Sequence, residues 1–336
     1  MTSTAHADSI EVTGAPAIAG LQFRHFGDDR DYDGLADLMT TTNVADGVEY
    51  APDAANLKVE YEHTPGFDVR RDLVLATVDG RVIARGEAHR QVRDNVAVYM
   101  AFGQVRPEFR RRGLGRALLR HSEARLREIA ELHADDAKRE YGSWAGDREG
   151  GARELLEAEG YHPIRFGFEM ARSLSDPFPD APLPAGLEIR TLEMSALRTV
   201  FDADNEAFRD HWGHREPTDE DFERLIGSPD LELSLWRVAW DGDEVAGVVE
   251  TTIWKSENAT LGVKRGWLEH VSVRRPWRRR GLASALIVSA FEGLREAGMD
   301  AAFLGVDAEN PTGALHLYES LGFRLRSRGA AYRKAW

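Results

Sequence analysis

The stretch "RPEFRRRGLGRALL", residues 106–119, returns later in the chain as "RPWRRRGLASALI", residues 275–287. In each copy a β-rich segment leads into a turn with arginines and a glycine, and an apolar helical pattern follows. A helix that begins after such a turn has several unpartnered backbone N–H groups at the positive end of its dipole. The repeated stretch therefore predicts two anion-binding turns, for which a phosphate or pyrophosphate is the suitable ligand.

These two turns belong to a larger duplication. A hairpin precedes each of them, with its reversal at Asp79-Gly80 in the first copy and at Asp241-Gly242 in the second. A helix, a further strand, a short helix that ends at a glycine and a closing strand follow each turn. Matching features lie about 165 residues apart, which is the length of a domain rather than of a short repeat. We therefore predict an α/β (α+β) fold of two tandem domains, each a mixed, mostly antiparallel sheet flanked by helices.

A proline-rich segment separates the two copies. The segment "SLSDPFPDAPLPAG", residues 173–186, has four prolines in a polar background, a composition typical of an extended linker. It divides the 336 residues into halves that are each long enough to bury a core. The sequence thus predicts a flexible leader at 1–20, a first domain at 21–172 and a second domain at 187–336.

The composition excludes several functional classes. A net charge of −14 argues against nucleic acid or an anionic membrane as the main partner, because phosphate backbones and anionic lipids require a positive surface. The absence of cysteine excludes disulfides, thiolate catalysis and cysteine-ligated zinc. No apolar run approaches the roughly 18 residues of a membrane span, and the first residues lack the order of a signal peptide. We expect a cytoplasmic protein.

Three phosphate-binding patterns compete for the arginine-glycine turns. A P-loop requires Gly-Lys-Ser/Thr, which neither turn has. A dinucleotide fingerprint requires a third glycine in a parallel unit, and none follows at the required place. The third pattern, Arg/Gln-x-x-Gly-x-Gly/Ala, is met by Arg110, Gly113 and Gly115 and again by Arg278, Gly281 and Ala283. It resembles the acyl-coenzyme A pyrophosphate motif of the GNAT family of N-acyltransferases.

The surroundings of the motif extend this resemblance. Family members have a strand that ends in a Val-x-Pro-like sequence before the motif, as in "VRPEFRRRGLG", and they carry a late asparagine, a tyrosine and a Gly-Phe ending, as in "ENPTGALHLYESLGF", residues 309–323. Both halves are covered, so nearly the whole chain resembles a tandem GNAT protein. The resemblance implies transfer of an acetyl group from acetyl-coenzyme A, as co-substrate and without a metal, to a primary amine of a small molecule or peptide. The transfer would proceed by direct attack in a ternary complex.

The resemblance also implies residue roles in the second half. Tyr318 would protonate the departing thiolate, a role that suits a phenol because it stays neutral at cellular pH. Glu269 or His270 would be the base, although another glutamate position of the family is occupied by Trp267. Backbone N–H groups from Arg279 to Ala283 would hold the pyrophosphate, and Val271 and Val273 would pair with the pantetheine arm. The complete coenzyme A site would comprise Val271, Val273, Arg278, Arg279, Arg280, Gly281, Leu282, Ala283 and Asn310, with Arg110, Gly113 and Gly115 as its counterpart in the first half.

A polar cluster before the second hairpin is the candidate acceptor site. The segment "NEAFRDHWGHREPTDEDF", residues 205–222, places His211, Trp212 and His214 close to Asp210. These side chains could bind an amine or relay a proton. We do not expect a metal there, because the two histidines have no evident third ligand.

The two halves are not equally equipped. When the Gly-Tyr and Gly-Phe endings are aligned, Leu156 stands opposite Tyr318 and Arg148 opposite Asn310, and Ala101 takes the place of Glu269. We therefore predict catalysis in the second half and a structural or binding role for the first. Two alternatives remain open: a non-catalytic acyl-coenzyme A sensor or scaffold, and two active halves with different acceptors. The sequence leaves open a monomer or a homodimer.

Overall fold

The protein is described by a computed structural model over residues 9–93, 96–133, 138–212, 214–310 and 313–336. The chain divides into two compact units, of which the first comprises Met1–Ile164 and Ala330–Trp336 and the second Arg165–Gly329. Each unit holds one of the two arginine-glycine turns. The last residues of the chain thus belong to the first unit, an arrangement that the order of motifs along the sequence does not indicate.

The first unit is a sheet with helices on both faces. Its strands are β1 (Ser9–Ile10), β2 (Leu21–His25), β3 (Leu73–Val78), β4 (Arg81–Arg93), β5 (Val96–Val105), β6 (Lys138–Gly146) and the beginning of β7 (His162–Ser173). Its helices are α1 (Arg30–Asp46), α2 (Ala54–Glu62), α3 (Val69–Asp72), α4 (Leu114–Glu131) and α5 (Gly150–Ala158). Strands β1 to β5 pair antiparallel in chain order, and β5 pairs parallel with β6. The end of the last strand of the chain lies beside β6.

Alternating apolar residues explain why helices cover both faces of this sheet. Leu73 and Leu75 pack against the face that carries α1 and α2. The intervening Val74 and Ala76 pack on the opposite face, against α4. Successive side chains of a strand point to opposite faces, so a strand that is apolar throughout must be covered on both.

The second unit repeats this plan. Its strands are the end of β7, β8 (Glu188–Arg190), β9 (Arg237–Asp241), β10 (Glu244–Thr252), β11 (Arg265–Val273), β12 (Ala301–Asp307) and the beginning of β13 (Arg324–Ala335). Its helices are α6 (Leu197–Phe208), α7 (Asp219–Gly227), α8 (Lys255–Leu261), α9 (Leu282–Glu296) and α10 (Ala314–Ser320). Strands β8 to β11 pair antiparallel, β11 and β12 pair parallel, and β12 pairs antiparallel with β7. Helix α6 packs on one face of the sheet, against residues such as Val248 of β10. Helix α9 packs on the other face, against residues such as Val249 of β10.

The predicted fold class is confirmed: two regions of mixed, mostly antiparallel sheet are flanked by helices. The hairpin predicted at Asp79-Gly80 forms with positive φ at both residues, 50° and 79°, as a type I′ turn requires. Within the described residues, no helix combines the length and the apolar character that crossing a bilayer demands.

The proline-rich segment 173–186 lies inside the second unit rather than between the units. Its apolar residues account for this position: Leu174 is buried, and the Phe178 ring packs against Phe291 of α9 at 5.5 Å. The limits 21–172 and 187–336 therefore differ from those of the compact units, and they remain a prediction about independently folding domains.

The beginning of the chain also differs from the expected flexible leader. Residues 9–20 include β1, which pairs with β2, and the side chain of Val12 is buried in the first unit. Residues 1–8 of the predicted leader lie outside the described residues.

Candidate active site

The two arginine-glycine turns have the same backbone conformation. In the second unit φ is 59° at Arg279 and 85° at Gly281, and in the first unit it is 60° at Arg111 and 91° at Gly113. A Cβ atom added to either glycine would meet no atom within 4 Å. The positive φ, and not a lack of space, is therefore what favours glycine at both places. Helices α9 and α4 begin directly after these glycines, so both turns present unpaired N–H groups at a helix start.

The first arginine of the second motif stabilises its turn. The Arg278 guanidinium donates to the carbonyl oxygen of Val273 at 2.8 Å, to Asp210 Oδ2 at 2.7 Å and to the carbonyl oxygen of Ala207 at 3.1 Å. Hydrogen bonds from Arg275 and Arg278 hold the pKa of the Asp210 carboxyl well below its usual range. The turn is thereby fastened both to the end of β11 and to the end of α6.

The first arginine of the first motif has similar contacts. Arg110 donates through Nε to the carbonyl oxygen of Val105 at 2.9 Å and through both terminal nitrogens to Asp46, at 2.7 and 2.9 Å. Each guanidinium nitrogen of Arg110 and of Arg278 thus donates to a protein oxygen, and the predicted contact of these arginines with the coenzyme remains a prediction. In the second turn Arg280 also donates to the carbonyl oxygen of Ala185, at 3.4 Å. We therefore expect an anion to bind mainly to the backbone N–H groups.

We expect Asp210→Ala to weaken coenzyme A binding by the second turn about three- to fivefold. The reason is that this solvent-screened ion pair is weak but orders the turn before the ligand binds. Isothermal titration with coenzyme A measures the effect. Asp46→Ala removes the equivalent contact in the first unit and should leave the rate of acetyl transfer unchanged. Wild-type affinity at every site of the Asp210→Ala protein would contradict the expectation.

Two residues of β11, Val271 and Val273, point their backbone N–H and C=O groups away from β10. The Arg274 N–H donates to the carbonyl oxygen of Ala246 at 3.0 Å. In an antiparallel pair bonded and non-bonded positions alternate, so Val271 and Val273, counted back from Arg274, occupy non-bonded positions. Their N–H and C=O groups therefore point to the other edge of β11.

That other edge is open over the described residues near the turn. Strand β12 pairs with β11 only along Arg265–Trp267, before the strands separate. The Val273 carbonyl already accepts the hydrogen bond from Arg278. Both backbone groups of Val271 and the N–H group of Val273 remain at this edge to pair with an extended ligand.

A β-bulge interrupts β11 at Glu269. Glu250 of β10 stands opposite His270, whereas its neighbour Thr251 stands opposite Leu268, so Glu269 has no partner in the ladder. Such a bulge bends the strand and redirects side chains, and it is frequent beside active sites. The corresponding β4–β5 ladder of the first unit runs from Ala84 to Arg93 without a register shift. The bulge therefore distinguishes the second unit from the first.

An ionisable cluster lies beside the bulge. His270 Nδ1 is 2.6 Å from Asp204 Oδ2 of α6 and 3.8 Å from Glu250 Oε2. The Asp204 and Glu250 side chains are only 6% and 18% exposed, whereas the His270 side chain is 45% exposed. The buried Asp204 Oδ1 atom has no hydrogen-bond partner among the described residues. The three groups are close enough to share a cation. The His270 imidazole is the part of the cluster that reaches the surface.

The environment raises the pKa of two members of the cluster, Glu250 and His270. Burial raises the pKa of Glu250 to about 7, with His270 opposing the shift and Asp204 supporting it. Burial alone would lower the pKa of His270, but the charge and hydrogen bond of Asp204, together with Glu250, raise it to about 10. At neutral pH His270 is therefore protonated, and Glu250 is divided between its two protonation states.

Glu269 is at the bulge but has a different environment. Its carboxylate accepts a hydrogen bond from the Trp254 indole N–H at 2.8 Å. Its side chain is exposed to solvent. The surrounding protein nevertheless desolvates the carboxyl and raises the pKa of Glu269, and the Trp254 hydrogen bond opposes that shift. The two candidate bases, Glu269 and His270, are thus neighbours in sequence with different surroundings.

Tyr318 and Asn310 lie beyond β12. Tyr318, on α10, is buried and contacts Phe323 with 5.9 Å between ring centroids, and burial raises its pKa to about 12. It therefore keeps its proton throughout the neutral range. Asn310 follows β12 and donates its backbone N–H to the carbonyl oxygen of Asp307 at 3.1 Å. Residues 311 and 312, part of the motif quoted for this region, lie outside the described residues.

The predicted acceptor residues, His211, Trp212 and His214, follow α6 and have different neighbours. His211 and His270 both contact the Phe208 ring, at centroid distances of 4.3 and 4.6 Å, and burial lowers the pKa of His211. Trp212 lies under the Arg165 guanidinium at 4.7 Å. His214 Nε2 is buried without a hydrogen-bond partner among the described residues. His211 is therefore the member of this group that lies nearest to the ionisable cluster.

In the first unit the equivalent strand position carries Glu87. It stands opposite Phe102, as Glu250 stands opposite His270. Glu87 accepts hydrogen bonds from Arg85 and from Tyr61, and His89 is 3.2 Å away. Burial would raise the pKa of Glu87, but Arg85 and His89 lower it to about 2. This carboxylate is neutralised by the protein itself. Leu156, at the tyrosine position, is buried in the core.

Sequence reasoning missed Asp204 and Glu250. Asp204 lies on the buried face of α6 with Val200 and Ala207, and a charged residue on an apolar helix face is a signal that was available. Glu250 follows the apolar run "VAGVV" in β10 and could have been noted for the same reason. Their proximity to His270 follows only from strand register and helix packing.

Comparison with known proteins gives a consistent result. The sequence profile described as the acetyltransferase (GNAT) family matches residues 38–140 and 197–323. A mycothiol acetyltransferase of Geodermatophilus obscurus is 30% identical over 308 residues, which cover 89% of this chain and 92% of that protein. Another, of Salinispora arenicola, is 29% identical over 307 residues, which cover 90% and 93%.

Two solved structures are similar over most of their length. A GCN5-related N-acetyltransferase from Sphaerobacter thermophilus has a TM-score of 0.72 and 28% identity, covering 94% of this chain and 96% of that one. A tandem GNAT protein from the clavulanic acid biosynthesis pathway has a TM-score of 0.65 and 16% identity, covering 93% and 98%. At this low identity the second likeness concerns the fold alone.

Proposed function

The chain belongs to the GNAT acetyltransferase family, and on that premise we propose that its second half transfers an acetyl group from acetyl-coenzyme A to a primary amine of a small molecule or peptide. The transfer is a direct attack in a ternary complex. The resemblance to tandem members of the family, with a layout like that of mycothiol synthase, is confirmed. The acceptor and the residue roles below are our proposal.

The coenzyme is held at the second turn and along the open edge of β11. Backbone N–H groups from Arg279 to Ala283 bind the pyrophosphate at the start of α9, where the helix dipole favours a negative charge. The pantetheine arm pairs with Val271 and with the N–H group of Val273, and Asn310 contacts the same arm from beyond β12. This path leads the thioester toward the bulge at Glu269.

The chemistry requires a proton acceptor for the amine and a proton donor for the thiolate. Tyr318 is the donor, and its raised pKa of about 12 keeps it protonated until the thiolate leaves. The acceptor amine binds on the α6 side of the sheet, near His211, Trp212 and His214. A base at the bulge or in the cluster beside it removes a proton from the ammonium, and sequence reasoning named Glu269 and His270 for this role.

The observation that carries this proposal is the difference between the units. Both have the anion-binding turn, but the second unit alone among the described residues combines it with the bulge in its central ladder and the tyrosine on the following helix. The first unit has an uninterrupted ladder, and Leu156 stands at the tyrosine position. Its turn is suited to a structural role or to binding alone.

The test is thiol release from acetyl-coenzyme A across a panel of amines. The panel contains diamines, amino sugars, peptides with free N-termini and, because of the names of the relatives, the des-acetyl form of mycothiol. We expect stoichiometric thiol release and amine acetylation, verified by mass spectrometry, with at least one member. Tight coenzyme A binding without thiol release from any amine would instead support the sensor or scaffold hypothesis.

A further inference from the structure

We propose that Glu250 is the group that takes the proton from the acceptor ammonium, and that the Asp204–His270 pair is the positioning element that holds it beside the bulge. This inference rests on the proposed N-acetyltransferase function and names the base within that site. It replaces the two candidates that motif reasoning alone suggested.

The position of Glu250 on the sheet supports this role. Val249 packs against α9 and Val248 against α6, so Glu250 lies on the α6 face by strand alternation. His270 is its direct cross-strand partner and shares that face. Asp204 reaches the same place from α6. The three groups therefore meet one residue from the bulge, on the face where the acceptor binds.

Comparison of the duplicated strands shows what is special about Glu250. Its counterpart Glu87 is neutralised by Arg85, with which it forms a buried ion pair. The residue preceding Glu250 by the same two positions is Val248, so the second unit provides no guanidinium from that place. Instead Glu250 Oε2 is 3.8 Å from His270 Nδ1, which is already hydrogen-bonded to Asp204. No residue at that place on its own strand therefore neutralises Glu250 as Arg85 neutralises Glu87, and Glu250 shares His270 with Asp204.

The charges that face Glu250 come from three elements. His270 and Glu269 face it from β11, Asp204 from α6 and Arg224 from α7. Burial and the two other carboxylates raise the pKa of Glu250, whereas His270 and Arg224 lower it, with a result of about 7. A base is most effective when its pKa lies near the working pH. Glu250 meets that condition.

The other two candidates fit the role less well. His270 has a pKa of about 10, so it is protonated at neutral pH and has no lone pair for the ammonium proton. The Glu269 carboxylate is hydrogen-bonded to Trp254. Because His270 is bound to Asp204, it stays protonated, and its own charge does not change while Glu250 gains and loses a proton.

The proton balance is complete within the site. The ammonium loses one proton to the Glu250 carboxylate, directly or through a water molecule, and the free amine attacks the thioester carbonyl to form the C–N bond. The C–S bond then breaks, and the thiolate takes its proton from Tyr318. The nitrogen loses its second proton, which restores Tyr318, and Glu250 releases its own to solvent. The products are the amide, the free thiol of coenzyme A and one proton.

The experiment compares the pH dependence of kcat/KM in the wild type and in Glu250→Gln. Because Glu250 accepts a proton only when it is ionised, kcat/KM of the wild type should rise with pH through about 7 and then level off. Glu250→Gln should lose about 10²-fold at pH 8, in the range of a positioned base, and should lose this rise. Glu244→Gln, an exposed change on the same strand, is the matched control and should retain both. Coenzyme A affinity and Tm show that each variant is folded.

Two further variants separate Glu250 from its neighbours. His270→Gln removes a positive charge beside Glu250, so the rise should move to higher pH and persist. Glu269→Gln should leave the rise near pH 7. The inference is overturned if Glu250→Gln keeps the wild-type profile, if His270→Gln or Glu269→Gln abolishes the rise, or if dialysis against a chelator removes activity that a divalent cation restores. Failure of the wild type to acetylate any amine would instead overturn the proposed function, and this inference with it.

Discussion

Tyr318→Phe is expected to lower kcat about 10³-fold while coenzyme A affinity and Tm change little. The substitution removes only the hydroxyl that we propose as the proton donor to the thiolate, and a positioned proton donor contributes about 10² to 10⁴ in rate. The ring remains, so its contact with Phe323 and its place in the core are kept. Thiol release at saturating acetyl-coenzyme A and acceptor measures the effect.

Tyr161→Phe is the matched control for that variant. Tyr161 is buried in the first unit, where its hydroxyl donates to Glu123 at 3.0 Å. Loss of this hydrogen bond should cost about 1 kcal/mol of stability and leave kcat unchanged. Because the pKa of Tyr318 is about 12, the wild type should show no loss of rate between pH 8 and pH 10 from this group. Full turnover by Tyr318→Phe would refute the assignment.

The second large effect is expected from Gly281→Val. At a φ of 85° a β-branched residue is strained by about 1 to 3 kcal/mol, and its side chain would stand where a phosphate oxygen approaches the turn. The Kd for coenzyme A at this turn, and with it kcat/KM, should worsen about 10²-fold. Titration calorimetry and initial rates at low acetyl-coenzyme A measure the change.

The duplication provides a matched control. Gly113→Val makes the same change at a φ of 91° in the first turn, and in both places a Cβ atom has open space around it. The two variants therefore carry a similar strain, and only Gly281→Val should reduce acetyl transfer. Equal loss of transfer in the two proteins would mean that the turns contribute equally to catalysis.

Local patterns determined much of the fold that could be predicted. The alternation of apolar residues in β3, the Asp79-Gly80 reversal and the glycine before α9 each specify their own conformation within a few residues. For that reason the order of strands and helices in each half, and the paired turns, followed from the sequence. The unequal equipment of the halves followed as well, because Leu156 and Tyr318 stand at a fixed distance from matching glycines.

Features that depend on distant parts of the chain could not be predicted in this way. The last residues belong to the first unit because Ala330 and Tyr332 enter its core, and no local pattern indicates which core a closing strand joins. The proline content of 173–186 indicated a linker, whereas Phe178 and Leu174 bind this segment to α9 and its surroundings. The proline content indicated an extended backbone for this segment, but it did not indicate the contacts that its apolar side chains make.

The same limit applies to the candidate site. Motif spacing located the turn and Tyr318, but Asp204, Glu250 and His270 are separated by up to 66 residues and meet through strand register and the packing of α6. The ion pairs of Arg278 and Arg110 could not be predicted for a similar reason. Their aspartate partners lie on the preceding helices and loops, so these guanidinium groups form ion pairs that the motif does not indicate, and their contact with the coenzyme remains a prediction.

The central claim is that the second half holds the only working transferase site. The most direct measurement is acetyl transfer by the double variant Gly281→Val/Tyr318→Phe, in which the first unit is intact. We predict that kcat/KM falls about 10⁵-fold, the product of the two single effects, and that adding Gly113→Val lowers it no further. A residual rate that saturates with acetyl-coenzyme A and disappears when Gly113→Val is added would contradict the claim and place a second active site in the first unit.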